Sequence, residues 1–506
     1  MEQSLKKIID IDEFKRFPSS KTVLCYGHFS VLHPGHIRYL NHGANRGEKL
    51  LVLVRGEQSE IESDVEFLKF REAERAEALA ALNMIDQVIK QGSLTLIEAV
   101  KILKPDLFLL GREFEQSNKK AIVEAITYVK EIGSEVEFHA GDTNYSVSEL
   151  DTNNLDSEAQ KRERQILQVC KNQDISIRRI IDETKKFDEA SLLVVGDTII
   201  DQYIACDAVG MSAEAPVIVL KELEQKMFLG GAGIVAAHIK AFGAKCHYIS
   251  AVGDDDLAKK AAFFLDEFGV TYDLIKDDSR PTTFKTRYMV EHQKMFRVSK
   301  LKEHALAEDL ETQLIEKIAK AAPHVDGILV SDFVYGVITP KVLSEIKRLS
   351  EKHGLLLFGD LQCSSQVGNI LKFEKFDLIC PTEREARISL GNKDDGVEVV
   401  ANTILDKTGC KNLILKLGAE GFITYGDRSK KLTNREHFPA LNPNPLDVAG
   451  AGDSLIAAVA VCLCSKLPIM GASLMGALVA ANTVSFVGNR PVKSHEIDEK
   501  LRSLTS

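Results

Sequence analysis

Two short motifs in this chain carry residue types suited to phosphate chemistry. The first is DVAGAGDS, Asp447 to Ser454. Gly450, Ala451 and Gly452 are small enough for successive backbone N–H groups to gather around an anion. They precede an apolar run, Leu455–Leu463, that reads as a helix, and a helix N-terminus favours negative charge. Asp453 follows at once, a carboxylate placed to take a proton from a hydroxyl that attacks a phosphoryl group. The second motif, far upstream, is His33-Pro34-Gly35-His36. Two imidazoles on one turn can donate to phosphate oxygens and stabilise charge developing at an α-phosphorus as pyrophosphate departs, with no protein nucleophile needed.

Both motifs need elements that hold them. Residues 22–26, TVLCY, form a short apolar strand that Gly27 ends, so the histidine turn runs from a strand into a helix beginning near Ile37. Strand and helix signals then alternate to the strand Glu135–His139, and alternation of this kind implies a parallel α/β sheet. Residues 151–174 are polar and charged and read as a linker, in part helical. A second α/β pattern starts at the strand Leu192–Val195 and continues to the C-terminus. Within it, Tyr203–Leu220 shows β-prone pieces around Pro216, which predicts a small strand excursion serving as a lid or a dimer surface. The expected domains are 1–150 and 175–506.

Length and composition narrow the classes. With 506 residues, two or three domains are the natural expectation. The 44% hydrophobic and 27% charged content is that of a globular chain. A formal charge of -10 argues against nucleic acid as the main partner. No basic-plus-apolar leader and no apolar run of about 18 residues is seen, so no membrane role is expected. Nine scattered cysteines without a CxxC pair fit reduced thiols in a cytoplasm.

The stretch GHFSVLHPGHIRYL, 27–40, resembles the HxGH cytidylyltransferase-like nucleotidyltransferases, in particular the adenylyltransferase half of bacterial ADP-heptose synthases. AERAEALAAL (73–82), LKPDLFLLG (103–111) and YSVSEL (145–150) extend the likeness. It implies that Gly27, His28, Phe29, Arg75, Ser146 and Ser148 hold the nucleotide, with His33 and His36 catalytic. The chain departs from the family at Ser30, usually acidic, and at Leu110, usually lysine; a basic-plus-proline pair before the Arg75 helix is also missing. These losses remove electrostatic help for a polyphosphate.

From about residue 190 the chain resembles ribokinase-like sugar kinases, and MSAEAPVIVL (211–220) is similar to the heptose kinase half of the same bifunctional enzymes. That likeness implies sugar contacts from Asp197, Asp201, Gly230 and Gly231, with substrate phosphate facing Arg287 and Arg297. It places nucleotide beside Lys416, Gly418 and Gly421, support for Mg²⁺ at Glu385, the base at Asp453 and the anion hole at Gly450, Ala451 and Gly452. Ile234, Thr382, Tyr335 and Gln362 stand where the family has two asparagines and two lysines.

Together the resemblances imply an α/β chain: an N-terminal Rossmann-like HxGH nucleotidyltransferase domain, then a ribokinase-like domain with a small β lid. The implied activities are heptose 7-phosphate kinase and heptose 1-phosphate adenylyltransferase, using ATP and Mg²⁺, with the familiar domain order reversed. Sugar phosphate and nucleoside triphosphate are the expected partners, along with a second copy through the kinase domain. Two alternatives stay open: the same chemistries on another sugar or polyol phosphate with CTP, or a silent nucleotidyltransferase half in a protein acting as kinase or ligand sensor.

Overall fold

The structure, a computed structural model, describes residues 6–17, 19–30, 32, 34–56, 70–111, 114, 119–139, 158–291, 293–363, 367–426 and 435–504. His33, Ser146 and Ser148 lie outside the described residues. The chain divides into two compact units: Met1–Leu155 with Asn392–Asn402, and Asp156–Gly391 with Thr403–Ser506.

The first unit is built on six strands: β1 (Ile8–Asp10), β2 (Thr22–Gly27), β3 (Lys49–Val54), β4 (Gln87–Lys90), β5 (Leu107–Gly111) and β6 (Glu135–His139). Their order is β1-β4-β3-β2-β5-β6, and every neighbouring pair is parallel. The apolar runs explain this. A strand pleats with period two, so Leu24, Tyr26, Leu51 and Leu53 feed one core while Val23, Cys25, Leu50 and Val52 feed the core on the other face. Continuous apolar strands buried on both faces are the signature of a parallel sheet. The sequence reverses direction across the sheet between β2 and β5, and ligands of open α/β sheets bind outside the strand ends at such a point. The His28–Phe29 turn leaves β2 there. The following helix starts at Pro34, three residues earlier than the apolar pattern indicates, because proline fits the first helical turn. His36 therefore lies in that first turn.

The second unit contains β7 (Ser191–Gly196), β8 (Thr198–Met211), β9 (Ile218–Gly230), β10 (Lys245–Val252), β11 (Thr271–Lys276), β12 (Thr283–Val290), β13 (Gln293–Lys300), β14 (Gly327–Asp332), β15 (Leu356–Leu361), β16 (Leu378–Ile379), β17 (Asn412–Lys416), β18 (Phe422–Tyr425) and β19 (Arg435–Phe438). Nine of them form one sheet, β11-β10-β7-β14-β15-β16-β17-β18-β19, parallel except at β18 and β19. The other four form a small sheet, β13-β12-β8-β9. The excursion expected over Tyr203–Leu220 is thus two long antiparallel strands, joined on the β8 side by the pair β12 and β13.

The segment 151–174, expected to be a linker, is a helix over Glu158–Asn172. Ile166, Val169 and Cys170 recur on one face of that helix and enter the core of the second unit. Sparse apolar residues at helical spacing inside a charged run hid this packing. Among the described residues no helix is long and apolar enough to cross a membrane.

Candidate active sites

In the second unit the chemistry gathers at the carboxyl ends of parallel strands. Asp197 follows β7, Asp332 ends β14, Asp360 lies near the end of β15 and Lys416 ends β17. The apolar run after DVAGAGD is the helix Ala451–Cys464, buried nearly throughout, with Gly450 as its N-cap in the left-handed region at φ 79°. No side chain caps this N-terminus, which leaves its first N–H groups for an anion. Asp453 sits in the first turn, 7% exposed.

Most carboxylates at this site are matched with a cation. Lys416 Nζ donates to Asp360 Oδ1 at 2.8 Å. Lys372 pairs with Asp332, Arg287 with Asp201, and Lys294 Nζ donates to Asp447 Oδ1 at 2.8 Å. Among the described residues, Asp197 and Asp453 have no such ion pair. Asp197 instead accepts backbone N–H groups from Phe333 at 2.8 Å and from Tyr335 and Val337, both at 3.4 Å. Asp453 accepts from Gln362 Nε2, whose amide also reaches Asp360 Oδ2 at 2.9 Å. Burial, followed by the charge of Asp360, pushes the Asp453 carboxyl up to about 7. Burial and then Asp332 do the same for Asp197, also to about 7. A carboxyl poised near neutrality suits proton transfer at physiological pH.

The remaining expected residues fall around this centre. Gly230 packs against Asp201 so closely that a Cβ there would lie 2.3 Å from Asp201 Oδ2. Gly231 opens the following helix at φ 60°. Arg287 stacks over Tyr203, 5.1 Å from the ring centroid. Arg297 stands directly opposite Arg287 in the ladder but on the fully exposed strand β13. Gly418 and Gly421 bracket a turn after β17 with φ 66° and 92°. Sequence reasoning missed three contributors. Asp360 was hidden in GDLQCS, although an acid ending an apolar strand was a usable signal. Lys372 ends a short 3-10 helix, Ile370–Lys372, and Asn489 sits in a loop, and neither stretch of text carries one; Asn489 Nδ2 donates to Asp201 Oδ2 at 3.0 Å and to Leu229 O at 3.3 Å.

Among the described residues, no group of three or more His, Cys, Asp or Glu side chains converges to hold a metal. Glu385 accepts the N–H of Cys363 at 3.0 Å and that of Thr382 at 2.8 Å, closing a capping box with Thr382. Each oxygen of the carboxylate keeps acceptor capacity. That donor set fits Mg²⁺, which retains several waters and needs few carboxylates when nucleotide phosphates share it.

In the first unit, His36 packs edge-on against Phe29, ring centroids 5.0 Å apart. Phe29 holds the turn at φ 53° and stacks on Tyr39. Arg75 is 1% exposed. Its guanidinium donates to His28 O at 2.6 Å, Arg55 O at 2.8 Å and Phe70 O at 3.1 Å. The residue expected at the nucleotide is thus set beneath the turn as a clasp on backbone carbonyls, because the three chain segments there leave carbonyls that no ladder satisfies. Arg55, from the end of β3, bonds the His28 ring and is a buried cation that sequence reasoning did not mark. Ser30 and Leu110 are buried.

A strand-end carboxylate at an uncapped helix N-terminus, in a mixed sheet with a small side sheet, defines a phosphoryl-transfer enzyme of the sugar kinase class. Residues 189–494 match the model of the pfkB family carbohydrate kinases, and residues 24–176 match the cytidylyltransferase-like model. The chain belongs to the pfkB family of carbohydrate kinases and is a transferase that also carries a cytidylyltransferase-like region ahead of the kinase. Curated relatives include Bifunctional protein HldE of Campylobacter fetus, 32% identical over 322 residues, covering 62% of this chain and 67% of that one. Bifunctional protein HldE of Campylobacter curvus is also 32% identical, over 62% of this chain and 66% of the relative. Among solved structures, phosphofructokinase-2 of Escherichia coli in complex with potassium aligns with a TM-score of 0.52 at 16% identity, over 63% of this chain and 99% of that one. Ribokinase of Giardia lamblia gives 0.52 at 16%, over 62% and 99%. At such identities these two likenesses speak for the fold alone.

Proposed function

We propose that this protein is a bifunctional sugar-phosphate kinase and sugar 1-phosphate nucleotidyltransferase. Its substrates are D-glycero-D-manno-heptose 7-phosphate and heptose 1-phosphate, on the route to ADP-heptose. The observation that carries the kinase half is Asp453: a buried carboxyl, raised to about 7, in the first turn of an uncapped helix. There it takes the proton of the anomeric hydroxyl as that oxygen attacks the γ-phosphorus of ATP. The Gly450, Ala451 and Gly452 amides receive the transferring phosphoryl group, and ADP leaves. Positioning and charge neutralisation carry such a step. Asp197, Asp201, Gly230 and Gly231 hold the sugar, and Arg287 and Arg297 its distal phosphate. Lys416, Gly418 and Gly421 flank the nucleotide. Glu385 would hold Mg²⁺, which would supply neutralisation of phosphate charge.

In the first unit, which we read as Rossmann-like, His33 and His36 stabilise the α-phosphorus while the sugar phosphate displaces pyrophosphate. Gly27, His28, Phe29, Ser146 and Ser148 bind the triphosphate; Arg75 acts through the turn it clasps. The kinase domain follows the nucleotidyltransferase domain, an order we read as reversed from the relatives, with the boundary near residue 150 and Glu158–Asn172 belonging to the kinase side. The small sheet serves as a lid. It exposes Val209, Met211, Ile218, Leu223 and Phe296, an apolar face that supports a homodimer. The chain works in the cytoplasm, on small molecules rather than nucleic acid or membrane.

A second reading has one observation in its favour: Leu110 is buried and uncharged where a lysine is expected and Arg75 donates to backbone carbonyls, so the first unit lacks expected cationic help for a phosphate. In that reading only the kinase half turns over. Mass spectrometry of reactions with ATP or CTP, Mg²⁺ and a panel of sugar phosphates separates the two. Heptose bisphosphate and ADP-heptose together support the bifunctional reading. Bisphosphate alone leaves the first unit silent, and preference for a different sugar or for CTP replaces the substrate assignment.

A further inference from the structure

Asp447 opens the phosphate-binding turn and is buried, yet its carboxylate makes four hydrogen bonds to four separate parts of the unit. Tyr203 Oη, on β8, donates to Oδ2 at 2.7 Å. Lys294 Nζ, on β13, donates to Oδ1 at 2.8 Å. The backbone N–H of Ala449 reaches Oδ1 at 3.0 Å and that of Gly488 reaches Oδ2 at 3.2 Å. Two donors thus come from the small sheet and two from backbone beside the turn. A second tether runs parallel to this one. Arg287, on β12, holds Asp201, which accepts from Asn489 Nδ2. Asn489 lies so close to Gly450 that a Cβ there would meet its Oδ1 at 2.7 Å.

The outer strand of the small sheet is held by its ladder to β12 rather than by burial, since every residue of β13 is exposed. The charged link from Lys294 to a buried carboxylate ties that edge directly to the site, and charge-assisted bonds of this kind are the strong ones. We propose that Asp447 is a positioning residue that makes the geometry of the phosphate-binding turn depend on the placement of the small sheet. Tyr203 and Lys294 hold the carboxylate, and the carboxylate holds the backbone on both sides of Gly450. The consequence is that the site grips the terminal phosphate of the nucleotide only when the small sheet is seated. This rests on the phosphoryl-transfer reading of the second unit.

The chain contains no tryptophan, so Leu446→Trp, at a residue 53% exposed beside Asp447, gives a reporter confined to this turn. The full-length reporter protein would be titrated with Mg·AMPPNP and with Mg·ADP, which share every group but the terminal phosphate. Adding Lys294→Met should weaken AMPPNP about tenfold, a loss of ~1.4 kcal/mol, and leave ADP unchanged. Tyr203→Phe should act in the same direction, and Lys294→Arg should restore discrimination. Unchanged discrimination in Lys294→Met overturns the proposal, as does equal loss of both nucleotides, which is the mark of a merely structural role. A reporter that answers neither nucleotide overturns the proposal together with the kinase reading.

Discussion

The two units set their key turns at equivalent places, the carboxyl ends of parallel strands, but they use their polar groups differently. At the second unit's site four buried acids, Asp201, Asp332, Asp360 and Asp447, are each matched with a cation, and the two without one among the described residues, Asp197 and Asp453, are the acids whose proton affinity rises. In the first unit the buried guanidinium of Arg75 donates to three carbonyl oxygens, so it supports the turn. One site holds acids without a matching cation; the other holds a cation bonded to backbone carbonyls. A buried ionisable group does chemical work only where the fold leaves its electrostatic demand unmet.

The sharpest break in that comparison is Asp453→Asn. Removing the base should lower kinase kcat by about 10³-fold while nucleotidyl transfer is unchanged. The same change should stabilise the second unit at alkaline pH. The folded carboxyl titrates at about 7 against an ordinary 3.8, so native protein holds a proton that unfolded chain releases. Stability from this group is present at low pH and lost as pH rises through 7. The Asn protein should therefore melt above wild type at pH 8 and with it at pH 4. Equal melting at both would mean the acid carries no burial penalty. His36→Ala addresses the other side: a loss of ~10²-fold in nucleotide-sugar formation, read by mass spectrometry, with kinase rate intact.

Arg75→Ala tests whether the first unit's cation belongs to the fold. Three hydrogen bonds to backbone carbonyls would be lost, ~3 kcal/mol at about 1 kcal/mol each. Thermal unfolding should show a lower transition for the first unit and an unmoved one for the second. An unchanged melt with weakened triphosphate binding would return Arg75 to the ligand.

How legible each site was in the sequence follows from the same physics. Asp453 and Asp197 could be singled out because a helix N-terminus and a strand end leave local signals, small residues before an apolar run or an apolar run before a charge, whereas Lys416 came only through the likeness to sugar kinases. The parallel sheets were readable for a similar reason, as unbroken apolar strands such as LVLV and LLVV. The partly helical character of 151–174 was readable, but the packing of Glu158–Asn172 was not, since a few apolar residues in a charged run say little until a partner surface is known. Lys372, at the end of a short helix, and Asn489, in a loop, lie far along the chain from Asp332 and Asp201, and only tertiary packing brings them there. Arg75 was placed correctly on its helix, but nothing in AERAEALAAL tells whether a guanidinium turns outward to a ligand or inward to backbone.

The smallest effect is the most diagnostic of how the second site is tuned. As a base, Asp453 must be ionised, so kinase kcat should fall as pH drops below about 7. Asp360 is the neighbouring charge that helps hold the proton on, and Lys416 opposes it. Asp360→Asn removes the first and frees the second from its ion pair, and both changes favour the carboxylate. The acid limb should move to lower pH, leaving the plateau rate reduced at most severalfold if Lys416 keeps its place. A limb that stays fixed would assign it to Asp197, which has a matching rise but draws it from burial and Asp332 rather than Asp360. Asp332→Asn would then be the variant that moves it, and the acid doing the titrating would be the one on the sugar side of the site.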